Sequence, residues 1–331
     1  MSDIAPAGPR RWAQAALGLL GLALIVMPVA FGMFDRAPQG AAMLADFRPF
    51  MTQERLDAFQ EDIADIDAAV REVSERAPAE LTGGDRAEFD ARYPAFTAFE
   101  RTWVGIEHDM SELLDSIDDN VGNYRAVDEL PSFTLFPWFF AVPGALVLLG
   151  ALAALARARW WRGIRWALIV VGAGLLIAPA AFGMFDRAPK GGRMMEAFRG
   201  IETRPRIQAM QGYFGTMASG EGSIRVQVVP DLRRAGLSQE ELDERFPATV
   251  ALGERWVGII GGFTPMIGAM VDNLPRYRAL AGLPPFALFP WFFALPGALI
   301  VGLSAAAGPR LRAPGRARLG TARRPLTKGA K

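Results

Sequence analysis

The eight residues FGMFDRAP stand at 31–38 and again at 182–189. Each copy closes a long apolar run. A second duplicated stretch lies further on, LFPWFFAVPGAL at 135–146 and LFPWFFALPGAL at 288–299. Self-similarity at a fixed period is the mark of a repeated structural unit. The chain reads as a tandem duplication, each half an apolar segment, a long polar segment and a second apolar segment. The offset between the halves is 151 from Phe31/Phe182 through Gln60/Gln211, and 153 from Tyr93/Phe246 onward. Matched pairs include Met43/Met194, Phe47/Phe198, Thr52/Thr203, Trp103/Trp256, Asn120/Asn273, Tyr124/Tyr277 and Arg125/Arg278.

Composition sets the solvent of each part. The chain has 331 residues, 51% of them hydrophobic, with a mean hydropathy of +0.17. Crossing a bilayer takes about 20 apolar residues. Four uncharged windows meet that length: 12–34, 133–156, 166–185 and 286–307. The predicted fold is all-α, with four transmembrane helices in two tandem repeats of the same orientation. Repeat 1 covers 1–156 and repeat 2 covers 166–307. Their polar segments, 35–132 and 186–285, are expected as helical extracytoplasmic domains of about 100 residues. A basic linker, 157–165, and a basic tail, 308–331, complete the chain.

Charge orients the spans. Residues 1–11, 157–165 and 308–331 hold 14 Lys and Arg but one acid, Asp3. Short Arg-rich flanks stay in the cytoplasm, so both termini are expected there and both polar segments outside. The first polar segment carries a net charge of −14 and the second +2. The first apolar run follows Arg10–Arg11, but it exceeds the 7–15 residues of a signal-peptide core, and its internal copy cannot be a signal. Arg outnumbers Lys 33 to 3. With abundant Ala, this suggests a bacterial chain from a GC-rich genome, placed in the cytoplasmic membrane.

Within the first polar segment, Leu56, Phe59, Ile63, Ile66, Val70 and Val73 are spaced 3-4-3-4-3. Phe96, Phe99, Trp103, Ile106, Met110, Leu113 and Ile117 continue the same rhythm. Each makes one apolar seam. An antiparallel hairpin with arms of about 24 residues, about 36 Å each, is the economical arrangement. The second segment keeps a seam at Trp256, Ile259, Phe263, Met266 and Met270. Its other helix, from Ile207, is expected to break at Gly220 and Gly222. IRVQVV at 224–229 reads as a resumed helix rather than a short strand, because its counterpart is helical, and the rest of 218–245 is left open.

Chemistry-bearing residues are scarce. Without cysteine there is no disulfide, thiolate metal site or cysteine nucleophile. His108 is the single histidine and lies off its seam. Asp62, Asp65 and Asp67, or Asp115, Asp118 and Asp119, lack the glycine and ligand spacing of a calcium loop and read as solvated faces. The apolar windows hold no ionisable residue and only Gln14, Thr134 and Ser304 as small polar groups, which argues against a proton path. No phosphate-binding or nucleophile motif is present. No cofactor is expected, and the protein reads as non-enzymatic.

The candidate contact residues are those at the membrane boundary and on the seams. Asp35–Arg36 and Asp186–Arg187 follow spans 1 and 3, where they can lock a span to its polar domain or meet a lipid headgroup. Trp138 and Trp291 lie in the PWFF segments and suit an interfacial belt or an aromatic ligand slot. Trp103 and Trp256 fall on the seams, and Arg125 and Arg278 are a matched pair beyond them. Membrane lipids are the expected partners, with an envelope protein at the polar domains and a homo-oligomer both compatible. Nucleic acid is not expected, because the basic tail is short and lacks aromatic residues to stack on bases. The expected role is structural or interactive within the envelope. The rival is a transport component or accessory holding a lipid-like or apolar ligand between the repeats.

Overall fold

A computed structural model describes residues 9–156 and 161–307. The basic tail and residues 157–160 of the linker lie outside them. Every regular element among the described residues is helical. In chain order they are α1 (Pro9–Ala30), α2 (Met33–Phe47), α3 (Gln53–Thr82), α4 (Arg86–Arg92), α5 (Pro94–Asp128), α6 (Phe136–Ala156), α7 (Trp161–Ala181), α8 (Met184–Ala197), α9 (Arg204–Ser223), α10 (Val229–Arg234), α11 (Gln239–Arg245), α12 (Pro247–Ala281) and α13 (Phe289–Ala306). Short 3-10 turns at Phe133–Leu135 and Phe286–Leu288 lead into α6 and α13.

Five helical segments among the described residues are long and apolar enough to cross a membrane. Four of them, α1, α6, α7 and α13, make a stem. The fifth is α12, which the sequence reading placed in a polar domain. The stem turns leucine and valine side chains outward, among them Leu19, Val26, Leu146, Leu149, Val170 and Leu299, all at least half exposed. Such a surface suits hydrocarbon rather than water.

The stem is held by two close helix pairs, α1 on α6 and α7 on α13. Glycine makes both possible. A Cβ on Gly21 would lie 2.6 Å from the Leu148 nitrogen and 2.8 Å from the Gly144 oxygen. A Cβ on Gly297 would lie 2.6 Å from the Leu176 nitrogen and 2.7 Å from the Gly172 oxygen. Small residues at such crossings let backbones touch, which is the main source of cohesion between apolar helices in lipid.

Both FGMF copies are hinges, and the first and third apolar runs are not single helices. α1 stops at Ala30 and α7 at Ala181. Gly32 and Gly183 then take left-handed φ of 60° and 62°, a conformation that costs glycine least. Met33–Phe34 and Met184–Phe185 therefore open the next helices, α2 and α8.

The remaining helices form a head. Its helices exceed the expected arms, with 30 residues in α3 and 35 each in α5 and α12. At 1.5 Å per residue the longest span about 52 Å. The expected hairpin partners, α3 and α5, do touch. Yet α3 packs more extensively on α12, α9 on α5, α2 on α12, and α8 on α5. The head is a single interlocked helical layer, with each polar segment packed on the other.

The chain from α9 through α10 is helical throughout, without the expected break. Gly220 is instead a contact point, since a Cβ there would overlap the Phe99 ring. Ile224–Val228 forms a π-helical segment, the signature of one residue inserted into a helix. Accordingly α9 to α10 is one residue longer than α3. The loop that follows α10, 235–238, is one residue longer than 83–85 after α3. These two insertions account for the change of offset from 151 to 153.

Candidate functional site

Each polar segment begins with the same helix–turn–helix. α2 runs to Phe47, and Thr52 then caps α3 by accepting a hydrogen bond from the Arg55 amide. α8 runs to Ala197, and Thr203 caps α9 through the Arg206 amide. A threonine cap satisfies an otherwise orphaned amide and fixes the turn before it. The two turns, with Phe50–Met51 and Ile201–Glu202, come together inside the head, against α5 and α12.

There they enclose a narrow cavity of about 40 Å³. The wall is made of matched positions from both halves: Met43 and Met194, Phe47 and Phe198, Phe50 and Ile201, Leu113 and Met266, Ile117 and Met270, Tyr124 and Tyr277, with Leu44 beside them. Both tyrosine rings are pinned, Tyr124 donating to the Leu44 carbonyl and Tyr277 to the Met195 carbonyl, each at 2.6 Å. The last matched pair on the wall breaks the pattern, with Met51 on one side and Glu202 on the other.

Glu202 is the single ionisable carboxyl on that wall and no basic residue lines it. Its side chain is 7% exposed. Its Oε2 is buried and accepts no hydrogen bond among the described residues. Burial pushes the carboxyl up to about 7, because the charged form loses hydration that nothing replaces. Protonated, it is a hydrogen-bond donor; ionised, it is an unpaired anion in an apolar chamber. The sequence reading missed this residue. The available signal was the Met51/Glu202 mismatch, an acid where the other copy carries an apolar side chain.

In the stem, phenylalanines of the two PWFF segments fill the space between α6 and α13. The Phe140 and Phe293 rings lie 4.5 Å apart and those of Phe136 and Phe289 5.8 Å apart. Trp138 and Trp291 point the other way, about half exposed. They meet Phe34 and Phe185 edge-on at 5.3 and 5.4 Å.

The two Asp-Arg pairs are not ion pairs with themselves. Arg36 donates to the Gly282 carbonyl at 2.6 Å. Arg187 binds the Glu129 carboxylate at 2.6 Å and the Phe182 carbonyl at 3.3 Å. Asp186 pairs instead with Lys190 at 2.7 Å, and Asp35 is exposed. Trp103 is buried and donates to Asp67 at 3.0 Å, whereas Trp256 is half-buried against the same core. Arg125 and Arg278 face outward from α5 and α12, and His108 is exposed. Among the described residues no three His, Asp or Glu side chains converge as metal ligands.

Ion pairs also tie the halves together. Arg255 of α12 meets Glu61, Asp62 and Asp65 of α3, and Arg206 of α9 meets Asp109 of α5 at 2.8 Å. The buried Glu72 of α3 accepts both the Thr249 amide and the Thr249 hydroxyl at 2.8 Å. It thereby caps the first turn of α12 from the other half, where a carboxylate also suits the helix dipole.

The chain matches no known protein-family model, and no curated protein sequence is similar to it.

Proposed function

We propose that this chain is a non-enzymatic integral protein of the bacterial cytoplasmic membrane, built by tandem duplication, whose interlocked helical head acts as a rigid interaction platform outside the cell membrane. The observation that carries this reading is the exchange of partners between the polar segments, capped by the Glu72–Thr249 contact. A head built this way is stiff and cannot open without breaking buried polar contacts.

Four spans, α1, α6, α7 and α13, fit the stem, with both termini in the cytoplasm as the basic flanks favour. α12 is apolar because it is a core helix of the head. It is 44% buried over its most apolar window, against 22–33% for the stem windows. It also carries Arg255 and Arg276, each paired with an acid, an arrangement at home in water rather than hydrocarbon. The duplication is supported by contacts that recur at matched positions: the glycine crossings, the threonine caps and the tyrosine-to-carbonyl bonds.

A platform needs an exposed face. Val104 on α5 and Val257 on α12, at matched positions, are 72% and 81% exposed. Site-specific photo-crosslinking from these two positions in intact cells tests the reading. Adducts to an envelope protein or to a second copy of the chain support it, and the absence of any adduct at both positions overturns it. A cysteine introduced at Glu88 or Glu240 should label with a membrane-impermeant maleimide, since the chain has no cysteine of its own. Labelling only after lysis would overturn the orientation.

The cavity inside the head, lined from both halves, favours a second reading, an accessory that holds an apolar ligand between the repeats.

A further inference from the structure

The cavity wall combines features that packing alone does not require. Fourteen of its residues are apolar or tyrosine, and the fifteenth is Glu202. The fold tolerates an apolar residue at this place, because Met51 occupies the matched position in the other turn. A buried carboxyl without a partner is unfavourable unless something supplies one. Among the described residues no Lys, Arg or His lines the cavity, so none of them supplies it. Tyr124, Tyr277, Phe47 and Phe198 surround the space with aromatic rings, whose faces attract cations. Five methionines, Met43, Met51, Met194, Met266 and Met270, make much of the rest, and their unbranched side chains rearrange readily around an alkyl chain.

We propose that this cavity binds an aliphatic ammonium, an apolar molecule bearing one cationic amine and no anionic group, with Glu202 as its counter-ion. The inference rests on the ligand-accessory reading and names its substrate class. The chemistry is a charge-assisted hydrogen bond from N–H⁺ to the Glu202 carboxylate in a water-poor chamber. The cavity as it stands admits a small polar head, and the methionine wall yields to the tail. A phospholipid amine fits poorly, because its phosphate would enter a site that holds no cation.

The test uses the full chain in phosphatidylcholine nanodiscs, with n-hexylammonium as probe and 1-hexanol as its neutral counterpart. Binding is read by calorimetry against the same discs carrying Glu202→Gln and Glu202→Met. The wild type should bind hexylammonium at least tenfold more tightly than either variant, and hexanol equally well in all three. Hexanol binding with hexylammonium indifferent to Glu202 would overturn the ammonium assignment while leaving an apolar ligand site in place. Failure of both probes would overturn the assignment and the ligand reading together. Loss of hexylammonium binding in discs containing phosphatidylethanolamine would overturn the free amine in favour of a lipid headgroup. Glu202→Met copies the residue of the matched turn, so its folding, checked by an unchanged elution volume and helical content, guards against a trivial loss.

Discussion

Arg36 donates to the carbonyl of Gly282 at 2.6 Å across 246 residues of chain. Arg36 sits in the first turn of α2, just after the stem hinge, and Gly282 follows the last turn of α12. The bond joins the end of the first stem helix to the end of α12, one of the head's two longest helices. Its counterpart, Arg187 to Glu129, does the same between α8 and α5. Helix ends leave carbonyls without partners, and a guanidinium meets that need with charge-assisted hydrogen bonds.

Arg36→Ala should therefore loosen the head from the stem. A hydrogen bond to a charged group is worth about 1.5–3 kcal/mol, less where water competes, and Arg36 is half-buried. A loss of about 1–2 kcal/mol is expected, read as a lower melting temperature in detergent. Arg101→Ala is the comparison, since Arg101 is 72% exposed and holds Asp90 only at 3.4 Å. Equal melting points for the two variants would show that the cross-chain bond contributes nothing.

The Glu72 cap is the deeper joint. Glu72→Ala strands the amide and the hydroxyl of Thr249, both buried at the start of α12. Each unsatisfied buried polar group costs about 1–3 kcal/mol. Glu72→Gln keeps one acceptor oxygen, which can serve both donors as Oε2 does, and should lose much less. Thr249→Val removes only the hydroxyl, and in the background of Glu72→Ala it should recover stability. A double-mutant cycle with no coupling between the two positions would place the energy elsewhere.

The glycine crossings give a cleaner contrast. Gly144→Ala would put a Cβ 2.8 Å from the Leu24 Cβ and 2.9 Å from the Gly21 oxygen. Backbone cannot yield as a side chain does, so α1 and α6 must separate, at a cost of about 1–3 kcal/mol. Gly174→Ala meets nothing within 4 Å and should stabilise α7 slightly through helix propensity. Thermal unfolding of the two variants in the same detergent should move in opposite directions. A destabilising Gly174→Ala would mean that another helix, or another copy of the chain, covers that face.

Much of this architecture is legible in residue patterns. The apolar windows mark the stem helices to within a few residues, and the seams from Leu56 to Val73 and from Phe96 to Ile117 are buried. Periodicity tells which face of a helix is buried, but not against which partner. Hence Phe59 is recognisable as a core residue, while its stacking on Phe263 of the other half at 4.4 Å is not. The helix across Gly220 was hidden for a related reason. Glycine weakens an isolated helix, yet here it admits the Phe99 ring, a tertiary contact that no local rule contains. The cavity was hidden most completely. An acid such as Glu202, two residues before a proline-containing helix start, reads as an ordinary solvated turn residue. Only the packing of two distant turns buries it.

That burial predicts a pH dependence with a definite sign. The Glu202 carboxyl is raised from its ordinary 4.5 to about 7 in the folded chain, by burial. The folded state thus holds a proton that the unfolded state has already released. Stability from this group is full below about pH 4.5, falls as the pH rises toward 7, and stays low above that. The shift corresponds to about 3 kcal/mol between the two limits. Tyr124 and Tyr277, the other titratable groups on the cavity wall, hold their protons throughout this window, because burial pushes both phenols above their ordinary value. Glu202→Gln should flatten this part of the profile. The variant should melt at a similar temperature to the wild type at pH 5 and clearly higher at pH 8. Hexylammonium at a fixed concentration should raise the wild type at pH 8 clearly more than the variant, because only an ionised Glu202 has a charge to neutralise. A wild type as stable as Glu202→Gln at pH 8, without ligand, would mean that the carboxylate already has a partner.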